Sequence, residues 1–205
     1  MKSKIALTGW SIRSTDAQSD ENLIKAIATG NQSAMRTLYG RHHLRVHHFI
    51  VRLGCDADRA EDLVAEVFLS VWRQAGTFES RSQVSTWLLS IARFRALTSL
   101  GRRREAQLEE DSMETLVDDA DTPEQSVLHS DRSMQLRNCI AQLSPDHREV
   151  IDLVYYHDKP VDEIAKILNL PRNTVKTRMF YARKHLARLL TFHGDFEHLV
   201  FAQAA

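Results

Sequence analysis

The chain has 205 residues, 43% of them hydrophobic, and its 27 basic and 27 acidic side chains cancel to a formal charge of zero. That length allows one large domain or two small ones, and 7 Gly with 4 Pro are too few turn residues for a β-rich chain. No apolar run approaches the roughly 18 residues that span a bilayer. The opening MKSKIALTGWSIRSTDAQSD lacks the sustained apolar stretch of a signal peptide. Cys55 and Cys139 are two lone thiols far apart in sequence, so a reducing cytoplasm fits best.

Residues 1–19 are mixed and polar and read as a tail. Ser19-Asp20-Glu21 is an N-cap signal for a short amphipathic helix that ends at Gly30. In NQSAMRTLYGRHHLRVHHFIVRLG the apolar residues Met35, Leu38, Tyr39, Val46, Phe49, Ile50 and Leu53 recur at three and four, which predicts a helix stopped by Gly54. DADRAEDLVAEVFLSVWRQAG is stronger. Leu63, Val67 and Val71 form one ridge, and Val64, Phe68 and Trp72 the ridge beside it. Glu61, Asp62 and Glu66 fall on the other side, and Gly76 closes the helix. In SQVSTWLLSIARFRALTSLGRRR the residues Val84, Trp87, Leu88, Ile91 and Leu97 can face a core, while Arg93, Arg95 and the Arg102–Arg104 run can face outward.

Residues 105–130 follow, rich in Asp and Glu, poor in large apolar residues and interrupted by Pro123. They read as a flexible acidic linker. A second helical group covers residues 131–191, and residues 192–205 form a tail that could hold a short helix. Ser144 and Pro145 suit an N-cap and a first helical position. The expected fold is all-α, with two small helical domains, residues 20–104 and 131–191, joined by the linker.

Charge is segregated along this plan. Every charged residue from Arg81 to Arg104 is positive, and every one from Glu105 to Asp131 is negative. LPRNTVKTRMFYARKHLARLL is again purely basic. Such blocks speak of partners rather than of fold.

PVDEIAKILNLPRNTVKTRMFYARKHL has helix-turn-helix form. Ile164, Ala165 and Leu168 make a short apolar face, Asn169-Leu170 the turn, and Pro171 the start of the next helix. Val175, Met179, Ala182, Leu186 and Leu190 form that helix's buried stripe, leaving Arg172, Asn173, Lys176, Thr177, Arg183 and Lys184 outside. Donors at the start of a helix that carries no carboxylate suit base edges and phosphates in a major groove. A helical pair with a solvated basic face is the plainer alternative.

LSPDHREVIDLVYYHDKPVDEIAKILNLPRNTVKTRMFYARKHL resembles region 4 of the sigma-70 family, in its extracytoplasmic-function (ECF) group. DADRAEDLVAEVFLSVWR resembles region 2.2, and FESRSQVSTWLLSIARFRALTSLGRRR resembles regions 2.3 and 2.4. The resemblance implies a sigma factor that binds core RNA polymerase at the β′ clamp coiled coil and the β flap, recognises promoter DNA and answers to an anti-sigma factor. It implies core-polymerase contacts at Glu61, Asp62, Glu66, Val67 and Trp72. It implies −10 DNA contacts at Ser82, Trp87, Arg93, Arg95, Arg102, Arg103 and Arg104, and −35 contacts at Arg172, Asn173, Thr174, Lys176, Thr177, Arg178, Arg183 and Lys184. Trp87 also reads as a core residue. The family often has Asn where Phe94 stands and Asp where Thr98 stands, so its −10 preferences do not carry over. Two other readings share these motifs, a sigma-like decoy for an anti-sigma protein and a helix-turn-helix repressor.

His43 and His47 have a metal-compatible i, i+4 spacing but no evident third ligand. No phosphate loop, Ser-His-Asp set or apolar carboxylate pair occurs. No metal, cofactor or catalytic residue is expected, and the chain is not read as an enzyme.

Overall fold

A computed structural model describes residues 19–110 and 130–192. The expected N-terminal tail, most of the acidic linker and the C-terminal tail lie outside the described residues. Among these residues there are helices and one short 3-10 turn, and no strand.

Each helix start has a local cause. Helix α1 (Asp20–Ala28) is capped by Ser19, whose Oγ accepts from the Asn22 N–H at 3.3 Å. Gly30 follows with φ of 86°, a conformation that suits glycine, and the chain re-enters helix α2 (Gln32–Arg52) under an Asn31 cap. Asp56 caps α3 (Ala57–Gln74), accepting from the Arg59 N–H at 2.8 Å. The 3-10 turn Ala75–Thr77 leads on to α4 (Val84–Glu110). The second group is α5 (Ser130–Ala141), α6 (Pro145–Tyr155), α7 (Val161–Leu168) and α8 (Arg172–Phe192). Ser144 and Pro145 open α6 as cap and first residue.

Helix α4 continues past Arg104 to Glu110, because REAQLEE is made of good helix formers and nothing in it breaks the ladder. Its buried side is Val84, Leu88, Leu89, Ala92 and Ala96. Leu97, expected to face the core, is 42% exposed, because the small residues Ala92 and Ala96 take the close-approach positions instead. Tyr39 also stays largely outside, its ring stacked on His43 at 4.8 Å. His43, considered as a metal ligand, has its Nδ1 2.9 Å from the Tyr39 carbonyl oxygen. Among the described residues no group of three His, Cys, Asp or Glu is placed to hold a metal.

The first group packs α1, α2, α3 and α4 around Leu23, Leu38, Phe49, Leu63 and Val67, all essentially sealed from solvent. In the second, α8 lies against α5, α6 and α7. The sequence suggested two separate cores, but the buried cluster runs without a break from Leu23 through Val84 and Leu88 to Val150, Leu153, Ile164 and Val175. The reason is that α7 and α6 have a second apolar side. Helix α7 lays it on α4, and α6 touches α2.

Asp20 fastens α1 to α2. One carboxylate oxygen accepts from Arg41 at 2.8 Å, and the other meets His42 Nε2 at 2.6 Å. Burial pushes this carboxyl up, but the bonds to Arg41 and His42 outweigh it and hold its pKa below the ordinary 3.8. A carboxyl with a depressed folded-state pKa stabilises the fold above its unfolded pKa and loses that contribution as pH falls through the folded value. Asp20→Asn should therefore lower the melting temperature at pH 6, and the gap to wild type should shrink steadily below about pH 4. Melting curves across that range check both parts.

Candidate nucleic-acid interface

The turn between α7 and α8 is set by Asn169. It adopts φ of 53°, and its N–H bonds to the Lys166 carbonyl while the Leu170 N–H bonds to that of Ala165. This left-handed cap reverses the chain in the few residues before Pro171. Helix α8 then buries Val175 and Ala182 completely and Leu190 almost so, with Met179 and Leu186 half-buried. The expected stripe is therefore the one that packs.

Arg172, Asn173, Lys176, Thr177, Arg183 and Lys184 all lie exposed. Arg172 pairs across the turn with Asp162 of α7, an exposed contact that DNA phosphate can displace. Arg183 sits 5.8 Å over the Tyr155 ring. Two expected contacts are placed differently. Thr174 is half-buried. Arg178 turns to Asp146 at the start of α6, 2.7 Å away, and ties α8 to its own module. One residue that charge-based reasoning passed over joins the exposed face. Phe180 is 62% exposed and follows Asn173, Lys176 and Thr177 at helical spacing. An apolar ring there can meet a thymine methyl.

On α4 the expected −10 residues divide into three settings. Trp87 is half-buried and packs against Phe78, ring centroids 5.0 Å apart, as a core-edge residue. Arg95 faces α3, donating to Ser70 Oγ at 2.9 Å and lying 3.6 Å from Glu66. Arg93 faces the other module, with Nε 2.7 Å and Nη2 3.3 Å from the two oxygens of Glu149. Neither arginine points freely outward as its spacing suggested, because each found a carboxylate or hydroxyl on a packed neighbour. Ser82 is half-buried, and Arg102, Arg103 and Arg104 are exposed, with Arg103 bonded to Asp56 at 3.1 Å. Between the flanking Arg93 and Arg95, Phe94 is 67% exposed on the open side of the helix.

On α3, Glu61 and Asp62 are exposed, while Glu66 is drawn in toward Arg59 and Arg95. Val67 is fully buried, so it supports the helix and cannot reach a partner. Trp72 is half-buried. The exposed ridge is instead Glu61, Asp62, Ala65, Leu69 and Arg73, with Leu69 48% exposed as its apolar member. The hydrophobic ridge that defines the core was legible in sequence; which apolar residue was left over outside it was not.

Two family profiles match the chain, Sigma-70 region 2 over residues 38–106 and Sigma-70 region 4 over residues 133–186. With the helix-turn-helix and the α3–α4 pair in place, they define a sigma-type transcription initiation factor. The ECF RNA polymerase sigma factor SigL of Mycobacterium tuberculosis is 31% identical over 169 residues, 80% of this chain and 92% of that protein. The RNA polymerase sigma-H factor of Pseudomonas aeruginosa is 27% identical over 182 residues, 84% of this chain and 94% of that one. Among solved structures, CnrH in complex with the cytosolic domain of CnrY has the same fold, with a TM-score of 0.63 at 23% identity, covering 85% of this chain and 99% of that chain. The sigma factor RpoE of Bartonella quintana, in complex with the anti-sigma factor NepR, gives a TM-score of 0.63 at 25% identity over 76% of this chain and 96% of that chain. The chain belongs to the ECF group of RNA polymerase sigma factors.

The different settings of Arg178 and Lys176 can be read out separately. Lys176→Ala should weaken binding to all duplexes alike and reduce the salt slope by about 1. Arg178→Ala should leave that slope unchanged and lower thermal stability instead, because it removes an intramodule ion pair. Salt titrations of DNA binding, paired with melting curves, check this.

Proposed function

We propose that this chain directs promoter-specific initiation by docking on core RNA polymerase through the exposed ridge of α3, reading −35 duplex with α8 and opening −10 DNA with α4. The β′ clamp coiled coil and the β flap are its polymerase contacts, and an anti-sigma factor is its natural inhibitor. The chain carries no chemistry of its own in this reading; the polymerase makes the RNA. The bacterial cytoplasm is its place of action, and among the described residues no helix is long and apolar enough to cross a membrane.

The observation that carries the reading is the helix-turn-helix in which the buried stripe of α8 leaves Arg172, Asn173, Lys176, Thr177, Phe180, Arg183 and Lys184 exposed. Such a face joins direct base readout to phosphate anchoring. Arg172 and Asn173 stand at the helix start, where groove-entering side chains reach base edges. Arg183 and Lys184 lie farther along, where cations meet the backbone. The second support is the acidic, partly apolar ridge of α3, a surface suited to a basic helical partner. On α4, exposed Phe94 offers a face on which an unpaired base can stack once the strands part.

The docking step has a direct test. A Glu61→Lys, Asp62→Lys double variant changes two exposed side chains and should keep its helical content and melting temperature. It should lose co-elution with core polymerase. Arg172→Ala should cost about 1–3 kcal/mol of discrimination between a cognate −35 duplex and a scrambled one, while wild-type co-elution persists. Unchanged co-elution of the α3 variant moves the docking surface elsewhere. Tight, specific duplex binding that needs no polymerase favours the repressor reading.

A further inference from the structure

The second helical group, α5 to α8, keeps its aromatic rings for its surface. Tyr155 and its cap residue Tyr156 end α6, and Phe180 and Tyr181 stand together in α8. They are 53%, 48%, 62% and 53% exposed, and no other Phe, Tyr or Trp has a described side chain in this group. The core of the group is aliphatic instead, with Val150, Leu153, Ile164, Val175 and Ala182. A buried ring removes roughly 150–250 Å² from water, a contribution that this module forgoes four times over. Cations lie between the rings. The Arg183 guanidinium is 5.8 Å over the Tyr155 ring. Phe180 precedes Arg183 by three positions and Lys184 by four, so the three share one side of α8. Phe180 and Tyr181 meet edge to face, their centroids 5.4 Å apart. At the far end Arg52 of α2 covers one face of Tyr156 at 3.9 Å. A strip thus runs Phe180, Arg183, Tyr155, Tyr156, Arg52, with rings and guanidinium groups interleaved. Arg52 is held by Asp152, so the open charge of the strip is that of Arg183 and Lys184, both exposed.

We propose that this strip is a binding site for single-stranded RNA, separate from the duplex-reading start of α8. Unpaired bases present flat faces that stack on Phe180, Tyr155 and Tyr156, while the phosphates between them meet Arg183 and Lys184. Rings and cations along one track suit a flexible strand, in which base and phosphate alternate. In a duplex the base faces are closed to such a track. The strip also continues into a helix that carries no carboxylate from Arg172 to Phe192, so nothing on α8 repels the strand's backbone. Two of the three stacking rings are tyrosines, half in solvent, and their hydroxyls can bond a ribose 2′-hydroxyl, which DNA lacks. RNA on the strip occupies Arg183 and Lys184. On the reading above, it therefore competes with −35 duplex for part of α8, which makes RNA an antagonist of promoter reading.

The test uses the full chain and a labelled, unstructured RNA strand about 12 nucleotides long, within the span of single-strand sites. A DNA strand of the same sequence and a DNA duplex are the comparisons. Wild type should bind the RNA more tightly than the DNA strand, with an affinity that falls as salt rises. Tyr155→Leu with Tyr156→Leu keeps apolar bulk and removes the flat faces. It should weaken RNA binding at least about tenfold and leave duplex binding unchanged. Tyr155→Phe with Tyr156→Phe keeps the faces, so it should retain RNA binding and lose the preference for RNA over DNA. Helical content and melting temperature confirm that each variant folds. Wild type that does not bind the RNA overturns the proposal. So does a folded Leu variant with full RNA affinity, in which case the rings serve a protein partner instead. Equal losses for RNA and duplex overturn the separate site. A DNA strand bound as tightly as RNA by wild type, or a preference that survives in the Phe variant, overturns the assignment to RNA through the hydroxyls. If RNA fails to displace duplex from wild type, the antagonist role falls. If wild type binds RNA but no duplex, the promoter reading fails while the strip stands.

Discussion

Helix α4 has both modules to satisfy, packing on α2 and α3 of its own and on α7 of the other, and most of the structure follows from that. Its Val84, Leu88, Leu89, Ala92 and Ala96 side is buried in the shared apolar cluster. Its flanks carry one arginine each way: Arg95 toward Ser70 and Glu66 of α3, and Arg93 toward Glu149 of α6. The helix-turn-helix is therefore attached to α4 through an ion pair as well as through packing. An arginine–carboxylate pair at that depth is a directional contact. Removing one partner leaves a buried charge, typically at a cost of roughly 3–5 kcal/mol. The net contribution of the intact pair is far smaller, so its role is to choose an orientation.

The neutrality of the chain takes on a physical meaning in this arrangement. Unpaired basic side chains attract nucleic acid indiscriminately and with strong salt dependence. Several are instead engaged within the molecule. Arg93 and Arg52 meet carboxylates of the other module, Arg103 meets Asp56, and Arg172 meets Asp162. The exposed pairs exchange readily for phosphate, whereas the buried carboxylates of Glu149 and Asp152 hold their arginines out of such exchange. Lys159 follows the same pattern: burial holds its ammonium below its usual pKa range, opposed by nearby Glu163. Its hydrogen bonds to Gln83 and Ser85 replace the water it has lost.

What could be read from residues alone was whatever depends on local period and capping. Ser19, Ser144 and Pro145 mark helix starts, and the Val175–Ala182–Leu190 stripe predicts which side of α8 is left exposed. Asn169 marks the turn. The misplacements share one cause: a helical wheel does not say which neighbour comes from far along the chain. Leu97 stayed outside because Ala92 and Ala96 let the partner helices come closer elsewhere. The motif resemblance makes Val67 a contact residue, yet its ridge is the innermost one, and Leu69 is the apolar side chain outside. In sequence Arg178 is one more cation in a basic run, whereas in the fold Asp146, 32 positions earlier, lies beside it. The Arg93–Glu149 and Arg52–Asp152 pairs bridge 56 and 100 positions, beyond any periodicity. Opposite charges on two helices do not reveal that they meet.

The central claim is that this chain gives core RNA polymerase a promoter preference it otherwise lacks. Purified core polymerase can be supplied with fragmented bacterial DNA, with and without the chain, and the 5′ ends of all transcripts mapped. The account predicts a new set of start sites, present only with the chain, that share two short upstream sequence elements near −35 and −10 and vanish with the Arg172→Ala variant. Unchanged start sites in the presence of excess wild-type chain would contradict it.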